Sequence, residues 1–273
     1  MKGIVTGIHR CALDDGPGIR TAVFLKGCAL QCGWCHNPET QNLQPELMAY
    51  PERCVGCERC ATACRLGLWN TAPKSGGHDR TLCTGCGECA AVCPNGALVI
   101  AGEWMTSDEV MANVILDKSF YDDTGGGMTL TGGDPLIQWQ FSLALLKKAK
   151  NAGLHTCVET SGAGDAAAVK NLIPFVDLWL FDMKGQPEDY PKYTGSPFAP
   201  IEKNLELLRQ IGARVILRCP QIPGICDRDG YALHLESLKA RWGDSPEVEV
   251  QFLPYHTYGT DKYAALNRKP FTV

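Results

Sequence analysis

Apolar and polar positions follow one another along most of the chain in a strand-then-helix rhythm. TAVFLKG (21–27) is a short apolar run that reads as a buried strand leading into a cysteine-rich loop. TSDEVMANVILDKSF (106–120) opens with a Thr/Ser–Asp–Glu helix start and continues at helical period. MTLTGG (128–133) reads as a strand stopped by glycines, and PLIQWQFSLALLKKAKNAG (135–153) as a helix closed by Gly153. The strands HTCVET (155–160), DLWLFDMK (177–184), RVILRCP (214–220) and EVEVQFLPY (247–255) then alternate with helices at 164–173, 201–213 and near 229–242. Such alternation implies parallel strands joined by right-handed helical crossovers. About six units after residue 20 predict an α/β fold, an incomplete TIM-like (β/α)6 barrel over 1–50 and 101–273. A doubly wound open sheet is the alternative. Residues 51–100 break the rhythm, with little helical period, many glycines and eight cysteines, and read as an insert.

The 273 residues include 45% hydrophobic and 21% charged, ordinary for a globular chain. No apolar run is long enough to span a bilayer, and the N-terminus lacks a signal-peptide core, so a cytoplasmic protein is expected. A net charge of -4 without a dense basic stripe argues against nucleic acid as the partner. The chain stops at KPFTV soon after the last strand, which reads as a compact variant or a shortened chain.

Fifteen cysteines change the picture. Eleven fall in three tight clusters between 28 and 93, and Cys11, Cys157, Cys219 and Cys226 are scattered. Clustering of this kind in a chain that is neither small nor visibly secreted points to metal binding in a reducing compartment rather than to disulfides. CVGCERCATAC (Cys54, Cys57, Cys60, Cys64) and CTGCGECAAVCP (Cys83, Cys86, Cys89, Cys93) each have the C-x2-C-x2-C-x3-C ferredoxin spacing for 4Fe–4S cubes. In two-cluster ferredoxins the fourth cysteine of each run serves the other cube. Cys54, Cys57, Cys60 and Cys93 are therefore expected around one, and Cys83, Cys86, Cys89 and Cys64 around the other. Arg65 stands where a proline usually follows the first run, and a pair of zinc knuckles is the alternative.

CALQCGWC differs in offering only three thiols, Cys28, Cys32 and Cys35, at the end of the first predicted barrel strand. Three thiolates on a four-iron cube leave one iron free to chelate a substrate, where barrel active sites sit. The alternative is a cube completed by Cys157 or Cys219.

C-x3-C-x2-C with an aromatic, Trp34, before its last cysteine resembles the signature of radical S-adenosylmethionine (SAM) enzymes. The flanking DDGPGIRTAVFLKGCALQCGWCHNPE (14–39) is similar to the glycyl-radical-enzyme activating enzymes. So are GGGMTLTGGDPL (125–136), VETSG (158–162), FDMKG (181–185), RCPQIPG (218–224) and LPYHTYGTDKY (253–263), in the family's order along nearly the whole chain. The resemblance implies that SAM binds the open iron and is cleaved by one electron to methionine and a 5′-deoxyadenosyl radical. That radical takes hydrogen from a backbone glycine of a partner glycyl radical enzyme. The paired ferredoxin runs place the chain among activases with two auxiliary cubes, three 4Fe–4S clusters in all. A flavodoxin or ferredoxin as electron donor, anaerobic operation and a monomeric state are expected with it. A radical SAM enzyme acting on a small molecule and a non-catalytic iron–sulfur electron carrier are the alternatives. The electron carrier would need neither the triad nor the GGD and LPYHTYG motifs.

The resemblance also assigns single residues. Gly132, Gly133 and Asp134 are expected to receive the SAM ammonium, with Asp134 where relatives usually carry Glu. A glycine turn capping a helix is the plainer reading of the same residues. Glu159, Asp182 and Lys184 fall at strand ends, Lys184 on the same face as Asp182. Asp182 and Lys184 are expected to contact SAM, and the two carboxylates to hold a monovalent cation; an internal salt bridge is the alternative. Arg218 and His234 fall where relatives contact SAM, and Trp34 joins them as an aromatic neighbour. Asp15 and His256 are expected at the mouth that admits the partner's glycine loop.

Overall fold

The computed structural model describes residues 1–69, 78, 80–227, 229–242 and 247–272. Its strands are β1 (Lys2–Ala12), β2 (Arg20–Leu25), β3 (Glu46–Ala49), β4 (Leu98–Ala101), β5 (Glu103–Thr106), β6 (Gly127–Gly132), β7 (His155–Thr160), β8 (Leu178–Asp182), β9 (Val215–Gln221) and β10 (Val248–Pro254). Eight of them form one sheet in the order β10-β9-β8-β7-β6-β2-β1-β5. From β2 through β10 every pairing in this sheet is parallel, and each strand lies beside its predecessor in the sheet. The reversal of strand order that defines a doubly wound sheet does not occur in this run.

The antiparallel side of the sheet was not legible as strand. β1 pairs antiparallel with both β2 and β5, with register shifts between Val5 and Gly7 and between His9 and Ala12. Ile4 and Val5 are buried, whereas residues 9–11 are exposed, so the alternation that marks a half-buried strand fades toward its end.

Side-chain parity in the parallel strands sets up the site. Val158, Trp179, Phe181, Val215 and Leu217 belong to the main core. Cys157, Leu178, Leu180 and Ile216, of the opposite parity, form a separate cluster. Continuing that second parity toward the strand ends brings Glu159, Asp182 and Arg218 to one face. Asp182 and Arg218 are register partners.

The expected helix after residue 106 starts as its sequence suggests. The Thr106 side chain accepts from the Glu109 N–H, and Glu109 accepts from the Thr106 N–H, a capping box. It then breaks at a 3₁₀ turn, Ile115–Asp117, before resuming at Lys118–Thr124. The turn delivers Asp117, fully buried, to Arg10 and to the Thr21 hydroxyl at 3.0 Å.

β3 and β4 pair antiparallel in a second small sheet, bracketing the two cysteine runs. Leu47, Cys60, Trp69, Cys89 and Leu98 pack together there. Lys26, fully buried, ties this sheet to the end of β2, its ammonium donating to the Glu39 carbonyl at 2.5 Å and to Glu46 at 3.1 Å. Burial pushes its pKa down.

Candidate functional site

The C-terminal ends of the parallel strands open into a cavity of about 520 Å³. Cys28, Cys32 and Cys35 line it from a loop that has little regular structure, so its shape is set by bonds to neighbours. Its two ends are closed by the Gly27 N–H on the Thr40 carbonyl (2.6 Å) and the Cys28 N–H on the Gln41 carbonyl (3.0 Å). The end of β6 is laced to the same place: the Gly133 N–H donates to the Leu25 carbonyl (2.8 Å) and the Asp134 N–H to the Gly27 carbonyl (2.7 Å). Only glycine permits this approach. A Cβ at Gly133 would lie 2.2 Å from the Gly27 oxygen, and Gly132 has φ +105 with a Cβ position 2.5 Å from the Leu25 nitrogen.

Burial pushes all three thiols up, Cys32 to about 12, with the Lys184 ammonium pulling it back. Protons held there must leave when the thiolates take metal. Trp34 is buried beside them, its ring 6.1 Å from Tyr193 and 5.8 Å edge-on to Phe271.

Facing the thiols is a charged cluster. Lys184 Nζ donates to Asp182 at 2.9 Å, and Arg218 Nη1 to Glu159 at 2.8 Å, while the Thr131 hydroxyl donates to the other Glu159 oxygen. Burial opposes the charge on Lys184, but attraction to Asp182 and Cys32 outweighs it and the pKa rises. Asp15 reaches the same group from the DDGPG loop, whose backbone is pinned by the Thr129 hydroxyl on the Asp15 carbonyl (2.7 Å). Burial, then repulsion from Glu159, raises Asp15 to about 6.

The raised acid has a consequence for stability. Its ionised form is disfavoured in the folded chain, so the contribution is fully present below the unfolded pKa near 4 and is lost as pH rises through about 6. Asp15→Asn is therefore expected to remove a fall in stability, on the order of 2 kcal/mol, that the native chain shows between those values. Denaturant melts across pH 4–7 measure it; parallel pH profiles for the two proteins would contradict the assignment.

The cavity thus brings together Cys28, Cys32, Cys35, Trp34, Gly132, Gly133, Glu159, Asp182, Lys184, Arg218, Asp15 and His256. Two expected residues stand apart. Asp134 is fully buried, with its carboxylate taken by the Thr160 hydroxyl (2.8 Å), the Ser161 hydroxyl (2.6 Å) and N–H (3.0 Å), and the Leu136 N–H (3.0 Å). It braces the turn and does not line the cavity. His234 lies on the Asp229–Ala240 helix with its ring 5.6 Å edge-on to Phe198, also outside the cavity lining.

Thr131, His36 and Gln251 are among the lining residues that were missed. Thr131 shares the parity of Thr129 two residues before Gly133, a signal the strand pattern contained. His36 follows Cys35 directly, with Nε2 3.0 Å from the His256 carbonyl, which only an N–H there satisfies. Gln251, register partner of Arg218, sits on the last strand, where only pairing reveals it.

Among the scattered cysteines, Cys219 packs in the main core opposite in parity to Arg218, and Cys157 lies beneath Gly16. Neither lines the cavity. In the cysteine-rich segment, Cys54, Cys57 and Cys60 of the first run line a small hollow together with Cys93 of the second. Cys64, Cys83 and Cys93 flank the apolar cluster that holds Cys60 and Cys89.

Two family models match the chain: a 4Fe-4S single cluster domain over residues 14–66 and a 4Fe-4S binding domain over 78–99. The benzylsuccinate synthase activating enzyme of Thauera aromatica is 42% identical over 97% of this chain and 82% of its own. The isethionate sulfite-lyase activating enzyme of Nitratidesulfovibrio vulgaris is 39% identical over 98% and 88%. A crystal structure of Streptococcus suis SuiB bound to precursor peptide SuiA is similar in fold, with a TM-score of 0.51 at 10% identity, over 89% of this chain and 40% of that one. With relatives this similar over almost its full length, the chain belongs to the glycyl-radical-enzyme activating enzymes.

Proposed function

We propose that this chain cleaves SAM reductively to a 5′-deoxyadenosyl radical and takes a hydrogen atom from a glycine of a partner glycyl radical enzyme. The observation that carries this reading is the convergence, at one cavity, of three cysteine thiols with the Lys184–Asp182 and Glu159–Arg218 pairs. The donor chemistry fits the groups concerned. Three soft thiolates suit an iron–sulfur cube with one iron left open, and paired ammonium, guanidinium and carboxylate groups suit the carboxylate and ammonium of an amino acid. When bound, the cube supplies the single electron that breaks the sulfonium bond.

The chain's own residues orient SAM and keep water away. Lys184 is placed to hold the SAM carboxylate, and the Gly132–Gly133 backbone to receive its ammonium, with Trp34 shielding the thiols. Asp182, Glu159 and the Thr131 hydroxyl form a hard oxygen set suited to a monovalent cation beside SAM. Asp15 and His256 flank the route for the partner's glycine loop. The sheet is a partial barrel whose open side admits that loop, and residues 51–100 are a ferredoxin-like insert.

Crossing of Cys93 to the first run supports two auxiliary cubes, hence three 4Fe–4S clusters, fed by a flavodoxin or ferredoxin. Each of Cys54→Ala and Cys93→Ala is expected to cost one cube, about four irons per chain, and the double variant no more than either. Cys86→Ala added to Cys93→Ala is expected to lose about eight. Iron analysis after anaerobic reconstitution decides; additive loss in the Cys54/Cys93 pair would separate them into different clusters. Among the described residues no helix is long and apolar enough to cross a membrane. A monomer working in an oxygen-free cytoplasm is the setting proposed.

The test is to reduce the reconstituted protein with dithionite, follow 5′-deoxyadenosine and methionine, and look for a glycine radical on the partner by electron paramagnetic resonance. No SAM cleavage would favour an electron carrier. Cleavage coupled to a modified metabolite, with no partner radical, would favour a small-molecule enzyme.

A further inference from the structure

Beyond β8 the chain runs through residues 184–196, including a short helix, Tyr190–Thr194, and passes beside the cysteine loop. At the start of this segment the Lys184 N–H donates to the Tyr190 hydroxyl at 2.9 Å. Tyr190 is fully buried, its ring 4.9 Å from Phe198, so the hydroxyl is held in place. At the far end the Thr194 carbonyl accepts from the Gln31 N–H (2.8 Å) and the Tyr193 carbonyl from the Gly33 N–H (3.3 Å). Those two amides flank Cys32. The Ser196 hydroxyl adds a bond to the Ala29 carbonyl at 3.1 Å, and the Thr194 hydroxyl closes the helix onto the Tyr190 carbonyl at 2.8 Å. Gly195, at φ +75, turns the chain out of the helix.

We propose that this segment is a strap that fixes Cys32 relative to Lys184, with Tyr190 as its positioning residue. The inference rests on reading the cavity as the SAM site. Lys184 and Cys32 stand on separate loops, and a ligand bridging them needs both held in register; a displacement of about 1 Å at such a site can cost about 100-fold in rate. Within the cysteine loop the Cys35 N–H on the Cys32 carbonyl (3.2 Å) gives only local support. The strap joins the two loops directly, through the Tyr190 hydroxyl at one end and the Thr194 and Tyr193 carbonyls at the other. Tyr190 does not line the cavity; it acts through the Lys184 backbone.

Tyr190→Phe removes the hydroxyl and keeps the ring. In the reconstituted full-length chain it is expected to raise the SAM dissociation constant about 5- to 10-fold, the equivalent of one lost hydrogen bond. Iron content should be unchanged, and amide exchange at Gln31 and Gly33 should accelerate. A loss of overall stability alone would speed exchange throughout the sheet and would not single out those two amides. Ser196→Ala, at a half-buried site, loosens the other end and carries the same test at Ala29–Gln31 if Tyr190→Phe takes up no iron. Native SAM affinity together with native exchange in the variants overturns the strap. Absence of SAM binding by the unaltered chain sinks the functional reading instead, and the exchange pattern then judges the strap by itself.

Discussion

Cys32→Ala is expected to leave a folded chain that no longer cleaves SAM, with activity down at least about 1,000-fold, the equivalent of about 4 kcal/mol. The two effects separate because they arise differently. Cys32 is buried, only 7% exposed, so truncating its thiol costs at most a small cavity, on the order of 1 kcal/mol. On the proposed ligation, the same truncation takes one of three ligands from a cube that has none to spare. Anaerobic chromatography for 5′-deoxyadenosine, set beside a thermal melt, checks both parts. Cys157→Ser and Cys219→Ser are the controls. Cys219 packs into the outer core and Cys157 lies under Gly16, so neither is placed to complete the cube, and both variants should keep cleaving. Activity surviving in Cys32→Ala, or vanishing in Cys219→Ser, would reassign the ligands.

Lys184→Met is the second large effect. Methionine fills similar volume without charge and strands the Asp182 carboxylate in a site where that side chain is 14% exposed. Removing one member of a buried pair costs about 3–5 kcal/mol, and residual solvent brings the figure here to about 2–3. That corresponds to a melting-point drop of about 3–5 °C for a chain of this size. SAM should bind about 10- to 100-fold more weakly, the value of a charge-assisted hydrogen bond. Lys184→Met combined with Asp182→Asn separates the contributions, since it should recover much of the stability and none of the affinity. If the double variant binds SAM normally, Lys184 is a structural partner of Asp182 and nothing more.

Most of the parallel sheet was legible in the sequence because two periods and a set of glycine stops agreed. HTCVET coincides with β7, and the strands expected at 128–133, 177–184, 214–220 and 247–255 differ from β6, β8, β9 and β10 only at their ends. What pattern could not show was pairing. KGIVTGIHRCA carries polar residues on its exposed half and gave no strand reading, yet it seals the antiparallel side through β2 and β5. The site divides in the same way. Residues fixed by strand parity and position, such as Glu159, Asp182 and Arg218, reach the cavity as anticipated. Asp134 does not, because its fate depends on Thr160 and Ser161, 26 and 27 positions away, whose hydroxyls capture it. His234 follows the phase of its own helix, which turns it toward Phe198. Tyr190 was invisible for a related reason: its role lies in a backbone bond to Lys184 that no side-chain pattern announces.

The order of strands across the sheet carries a consequence for how the protein is made. Because each parallel strand beds against one already synthesised, the sheet can extend by one unit at a time as the chain emerges, with few long-range closures. The thiol loop is an early segment, but its last fastenings come late. The Tyr263 hydroxyl reaches the Gly33 carbonyl at 2.7 Å, Lys262 reaches Glu39 at 2.6 Å, and Arg268 reaches the Pro38 carbonyl at 2.6 Å. These fastenings therefore arrive after every strand of the sheet. A chain still being synthesised presents the thiol loop without these bonds until residues 262–268 have emerged.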